Sequence, residues 1–257
     1  MKKINAIALN TLKVILREKT LYFLACFVII SGSSCIFLKP LVLGEINKIV
    51  YDFSTATMLL LGILISVVIG TMVIQTEFKQ KTIYLILTQP ISRNQFIIGK
   101  FLGMLLSVLI VEIITAVVFL VIMFFLGVPV TANYFISIGF IQLQLFIVCA
   151  ISMFFSSFAT PITGAVFTFL TVLSGLFVSS ALSIGQLTDK VPPSVNIIIK
   201  IVSFLLPALS DLDIKILSYY NIPLNFNFVF FSISYSVAYI IVCIYLTMLI
   251  FQNKEFI

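Results

Sequence analysis

Residues 101–126 (FLGMLLSVLIVEIITAVVFLVIMFFL) contain one charged side chain, Glu112, and no proline. A helix rises 1.5 Å per residue, so roughly 20 apolar residues cross a hydrocarbon layer of about 30 Å. In lipid every backbone N–H and C=O must be paired, which leaves either helices or a closed barrel. Barrel strands alternate apolar and polar residues over about ten positions, and this stretch does not. Comparable blocks recur at 20–38, 56–75, 135–158, 162–184 and 228–251. Charged residues make up only 9% of the chain, against roughly 25% in soluble domains. The side chains needed to cover a wet surface are missing. The predicted class is all-α: a polytopic membrane bundle of six transmembrane helices forming one membrane domain over 20–257.

Two further segments are apolar but unsuited to spanning. Residues 1–19 form an amphipathic pattern. Lys2, Lys3, Asn10, Lys13 and Arg17 share an arc of about 100° at 100° per residue, opposite Ile4, Ile7 and Ile15. This is expected to be an interfacial helix whose basic side faces anionic headgroups; a solvated lead-in to the first span is the alternative. Between the last two blocks, residues 185–227 hold the run Val195–Leu206, then Pro207, Asp211 and Asp213. At that length it is too short to cross, so a re-entrant or interfacial helix pair is expected on the outer side.

Lysines and arginines set the orientation. With the N-terminus inside, the cytoplasmic segments carry Lys2, Lys3, Lys13, Arg17, Lys19, Lys79, Lys81, Arg93, Lys100 and Lys254. The outer ones carry Lys39, Lys48, Lys190, Lys200 and Lys215, balanced by Glu45, Asp52, Asp189, Asp211 and Asp213. Six spans with both termini in the cytoplasm satisfy this asymmetry. The first span is read as a retained anchor. The net charge of +6 is thus accounted for by orientation, and no nucleic-acid partner is expected.

Chemistry-bearing residues are sparse. There is no histidine, and Cys26, Cys35, Cys149 and Cys243 all lie inside apolar blocks, where cysteine behaves as a small hydrophobe. The chain lacks a G-x-x-x-x-G-K-[ST] phosphate loop and the common hydrolase motifs, so no catalytic, metal or cofactor site is expected.

The most informative stretch is the loop at 76–100, expected in the cytoplasm. Ile83, Leu85, Ile86 and Leu87 would form an apolar patch between the charges of Glu77, Lys79 and Lys81 and the helix-stopping Pro90. Ser92 and Gln95 have capping-box spacing, which predicts a fresh helix leading into the next span. A short helix with an exposed apolar face suits a groove on a soluble partner; a merely basic loop is the alternative.

This loop resembles the signature region of ABC transporter type-2 permeases, the six-span membrane subunits of ABC exporters. The matching residues are Glu77, Lys81-Thr82-Ile83, Pro90-Ile91-Ser92-Arg93, Phe96 and Gly99-Lys100. The basic N-terminal helix, Asp52-Phe53-Ser54, and Leu206-Pro207 with Asp211 extend the likeness more loosely over the chain. The resemblance implies an ATPase-coupling loop containing Glu77, Lys81, Thr82, Ile83, Leu85, Ile86, Pro90 and Arg93. It implies two copies of a cytoplasmic ABC ATPase, which binds the ATP and magnesium, and pairing with a second copy or a paralogous permease. The implied cargo is hydrophobic or amphipathic, and similar permeases serve maturation of exported metalloenzymes. A non-transporting scaffold or immunity-type protein, or a stand-alone carrier, would share the hydropathy without the loop's partner.

Glu112 is the one ionisable residue inside an expected span. An ionised carboxylate there costs at least about 2.5–3.5 kcal/mol, so Glu112 should face the bundle interior, neutral or hydrogen-bonded. It is either a gate or pathway residue, or a brace to Gln142, Gln144 or a hydroxyl. Gly99 with Gly103, and Ser152 with Ser156, have the small-residue spacing of close helix packing.

Overall fold

A computed structural model describes residues 2–17, 26–34, 46–79, 92–187, 206–214, 219–220 and 225–252. Among these every regular element is helical: α1 Lys2–Leu16, α2 over 26–34, α3 Ile46–Lys79, α4 Arg93–Leu126, α5 Ala132–Ser156, α6 Pro161–Leu187 and α7 Phe226–Gln252, with a 3-10 turn at Ser210–Leu212. Four of them, α3, α4, α5 and α7, are long and apolar enough to cross a membrane. Of the first expected span only the α2 residues are described; 20–25 and 35–38 lie outside the described residues, as do 195–205 of the expected outer run.

The apolar blocks mark the lipid-soluble part of each helix rather than its ends. α3 begins ten residues before position 56 and α4 eight before 101, and each has 34 residues, or about 51 Å at 1.5 Å per residue. Both therefore overhang a hydrocarbon layer of about 30 Å. Asp52-Phe53-Ser54 accordingly sits inside α3 rather than ahead of it. α4 starts as its sequence predicts. Ser92 Oγ accepts from Gln95 N at 3.3 Å, and Ser92 N donates to Gln95 Oε1 at 3.4 Å, satisfying two otherwise orphaned amides. It stops at Gly127, whose φ of 70° is the left-handed cap that glycine adopts without strain.

α5 is the hub, contacting α3, α4, α6, α7 and the 3-10 turn. Its seam with α3 is tightly packed. A Cβ on Gly62 would strike Leu145, and one on Gly70 would strike Ser152. Close backbone approach lets hydroxyls bridge the helices: Ser152 Oγ donates to Ser66 O at 3.2 Å and Ser156 Oγ to Thr71 O at 2.9 Å. Small residues are what hold helices together where lipid is as apolar as leucine. α1 packs along α4 by the same means, with Ile4 and Ile7 over Gly99 and Ala8 and Thr11 over Gly103.

The far end of the bundle is fastened by tyrosines. Tyr51 Oη donates to Pro129 O at 2.6 Å and accepts from Thr131 N at 3.1 Å, tying the α4–α5 turn to α3. Tyr134 Oη donates to Ser54 Oγ at 3.1 Å. Residues 206–214 tuck into the bundle near this end. Gln144 Nε2 donates to Leu209 O at 3.2 Å, Ala208 N donates to Tyr235 Oη at 3.0 Å, and Gly175 makes room for Pro207. Cys149 and Cys243 are buried free thiols and Cys26 is exposed; Cys35 lies outside the described residues.

Candidate functional site: the helix ends flanking residues 80–91

Lys81, Thr82, Ile83, Leu85, Ile86 and Pro90 lie outside the described residues. What is described is the pair of helix ends from which that segment runs. Glu77 falls two residues before the end of α3, and Arg93 is the first residue of α4.

Each end is fastened to a different part of the bundle. On the α3 side, Gln75 Nε2 donates to Ser156 O at 3.0 Å and Ala159 O at 2.6 Å. These carbonyls belong to the α5–α6 turn, where the last carbonyls of a helix have no partner of their own. One side-chain amide therefore ties the end of α3 to the end of α5 and the turn that follows it.

On the α4 side, Arg93 Nη1 donates to Gln252 O at 2.9 Å and Phe251 O at 3.4 Å. A guanidinium at the last carbonyls of α7 both satisfies them and meets the negative end of the helix dipole. Around it, Gln252 Nε2 donates to Asn94 Oδ1 at 2.8 Å, and the Phe96 and Phe251 rings stack with centroids 6.1 Å apart. Lys100 is buried, with its Nζ 5.6 Å from the Phe96 ring centroid, a cation–π arrangement with the stem in the apolar interior. The structure thus brings Arg93 together with Phe96 and Lys100, all quoted for the loop motif, and turns Arg93 toward α7.

Gln75, Asn94 and the α7 terminus were not singled out in the sequence. A polar residue shortly before a helix end is a weak signal by itself, because its partner lies more than 80 positions away in one case and more than 150 in the others.

Glu112 lies on the inward stripe of α4 that also carries Ser107, Val108, Thr115 and Phe119, and it is 3% exposed. Glu112 faces the interior, and the alternative of a brace can be compared with its surroundings. Among the described residues Glu112 Oε1 and Gln142 Nε2 have no hydrogen-bond partner, and Gln144 donates to Leu209. The hydroxyls of Ser107 and Thr115 turn to their own helix, bonding Gly103 O and Val111 O. A buried polar atom left unpaired costs about 1–3 kcal/mol, which makes Glu112 a position to test.

Four helices long and apolar enough to cross a membrane, packed around α5, make this the membrane domain of a multi-pass protein. The chain belongs to the ABC-2 family transporter proteins, whose family model matches residues 37–256. It is an ABC transporter permease, a multi-pass membrane protein. Comparison with individual curated proteins gave no match.

Proposed function

We propose that this permease couples ATP hydrolysis on a separate cytoplasmic ABC ATPase to export of a hydrophobic or amphipathic substrate across the cytoplasmic membrane. Two copies of the chain, or one with a paralogous permease, form the pathway, and two ATPase subunits dock on residues 76–100. ATP and magnesium are held by those subunits. The lysine and arginine distribution supports six spans with both termini cytoplasmic, and the outer segment 185–227 then caps the pathway.

The observation that carries this reading is the double anchoring of the loop's two ends in a chain of this family. A push on residues 80–91 enters α3, and through Gln75 the α5–α6 turn. It also enters α4, and through Arg93 the end of α7. Hydrogen-bonded helix ends transmit displacement because packed helices move as units. Glu112 is the candidate gate or pathway residue in this scheme, an intramembrane carboxyl being a functional position by default.

Affinity purification of the tagged full chain tests the reading. Wild type should retain a phosphate-loop ATPase, and Ile83→Glu with Leu85→Glu should lose it while the permease remains folded. Absence of any such ATPase from wild type would sink the transporter reading and leave the scaffold.

A further inference from the structure

Residues 206–214 reach far into the bundle. Gln144, whose Nε2 donates to Leu209 O at 3.2 Å, stands midway along α5, roughly 18 Å from either end at 1.5 Å per residue. The centre of a hydrocarbon layer of about 30 Å lies about 15 Å from each face. Leu209 therefore sits within a few ångströms of that centre, whichever end of α5 overhangs. Gly175, against which Pro207 packs, is likewise midway along α6.

The chain returns from this depth to the tyrosine end of the bundle. Tyr219 meets Tyr51 with ring centroids 5.8 Å apart, and Tyr220 Oη accepts from Lys48 Nζ at 3.1 Å. α6, which precedes the segment, starts at the opposite end, beside Gln75. At the deepest point the backbone makes a tight turn: Leu212 N donates to Leu209 O at 3.2 Å and Asp213 N to Ser210 O at 3.1 Å. The turn sorts its side chains. Leu209, Leu212 and Ile214 are buried, while Asp211 and Asp213 are exposed.

Two exposed carboxylates at this depth exclude lipid as their surroundings, since each costs at least about 2.5–3.5 kcal/mol in hydrocarbon. Non-helical backbone at membrane depth is tolerated only where it is buried in protein or lines water. The leucine side of the turn meets the first condition, and the aspartate side is left to the second. We propose that a water-filled vestibule opens at the tyrosine end of the bundle, reaches mid-depth and ends on residues 206–214, with Asp211 and Asp213 in its wall. The segment is then a plug within the membrane rather than a lid above it, and the vestibule is the outer half of the transport pathway. The inference rests on the transport reading only for which side is outer; aqueous access at mid-depth requires no ATPase.

Thiol labelling of the full chain in intact cells tests this. The parent carries Cys26→Ala and Cys35→Ala, keeps the buried Cys149 and Cys243, and supplies the blank rate. Into it go, singly, Asp211→Cys at the turn, Ile241→Cys on the exposed face of α7 near its middle, and Phe226→Cys at the exposed start of α7. A small, charged, membrane-impermeant methanethiosulfonate reacts with the thiolate, which forms in water and not in hydrocarbon. Added from outside, it should label Asp211→Cys at least about ten-fold faster than Ile241→Cys. A polyethylene-glycol maleimide too bulky for a narrow cavity should label Phe226→Cys and spare Asp211→Cys. Equal rates for Asp211→Cys and Ile241→Cys would overturn the vestibule. Labelling of Asp211→Cys by the bulky reagent as fast as Phe226→Cys would put the turn at the surface and overturn its depth. Labelling of Asp211→Cys only in inside-out vesicles would overturn the direction of opening. Should Asp211→Cys fail to fold, Asp213→Cys gives the same readout. None of these rates depends on retention of an ATPase, so this inference and the transport reading fail separately.

Discussion

α3 and α7 have similar apolarity and opposite environments. Their most apolar stretches have mean hydropathies of 2.6 and 2.1, yet the first is 78% buried within the protein and the second 17%. Hydropathy does not separate them, because hydrocarbon and protein interior are nearly equivalent surroundings for leucine or valine. Glycine does separate them: α3 carries Gly62 and Gly70, and α7 carries none. α3 offers Gly62, Gly70 and the carbonyls of Ser66 and Thr71 to α5. α7 buries Ser236, Cys243, Thr247 and Phe251, and Arg93 and Asn94 fasten its last turn. The inner helix is held along its length, the outer one by a narrow stripe and its end.

The largest effect expected from this contrast is at Gly70. Gly70→Leu forces a branched side chain into Ser152, and overpacking of this kind costs about 1–3 kcal/mol or more. Val237→Leu on α7, an exposed position, should stay within about 0.5 kcal/mol. Unfolding midpoints in detergent compare the two; equal losses would break the distinction between held and lipid-facing helices.

A smaller effect is expected at the α4–α7 junction. Arg93→Ala removes charge-assisted bonds to two carbonyls, each kind worth about 1.5–3 kcal/mol when fully formed and less at a partly exposed site. Hydrogen exchange should rise in the last turn of α7 while the centre of α5 keeps its protection. Arg93→Lys should restore part of the protection, since a single ammonium cannot reproduce the guanidinium fork. Uniform loss of protection across both helices would show that α7 is not held separately at its end.

The smallest effect on stability is expected at Glu112. Glu112→Gln keeps size and exchanges one unpaired buried polar group for another, so stability should change by less than about 1 kcal/mol. Transport and ATPase stimulation should nonetheless fall if this carboxyl lies on the pathway. Unchanged transport in a folded variant would return Glu112 to packing.

Much of this architecture can be read from the residues in order. Ser92 and Gln95 announce the start of α4 because a capping box acts between neighbours in sequence. Gly99 and Gly103 announce a close contact because one face of a helix is fixed by its period. The early start of α3 is not legible from hydropathy, since a helix continues as long as its backbone bonds do, whatever the solvent around its polar overhang. Glu112 could be placed facing inward from the cost of exposing it to lipid. Its lack of a partner depended on where Gln142 and Gln144 point.

The sequence by itself determined that the chain is a helical membrane protein, where its apolar helices lie and which family it resembles. Those properties follow from local composition, backbone hydrogen bonding and a contiguous motif. Only the tertiary structure decided that α1 leans on Gly99 and Gly103, that Gln75 holds the α5–α6 turn, and that Arg93 reaches the end of α7. These contacts join residues far apart in the chain, and in a bundle of uniformly apolar helices nothing local distinguishes one possible neighbour from another.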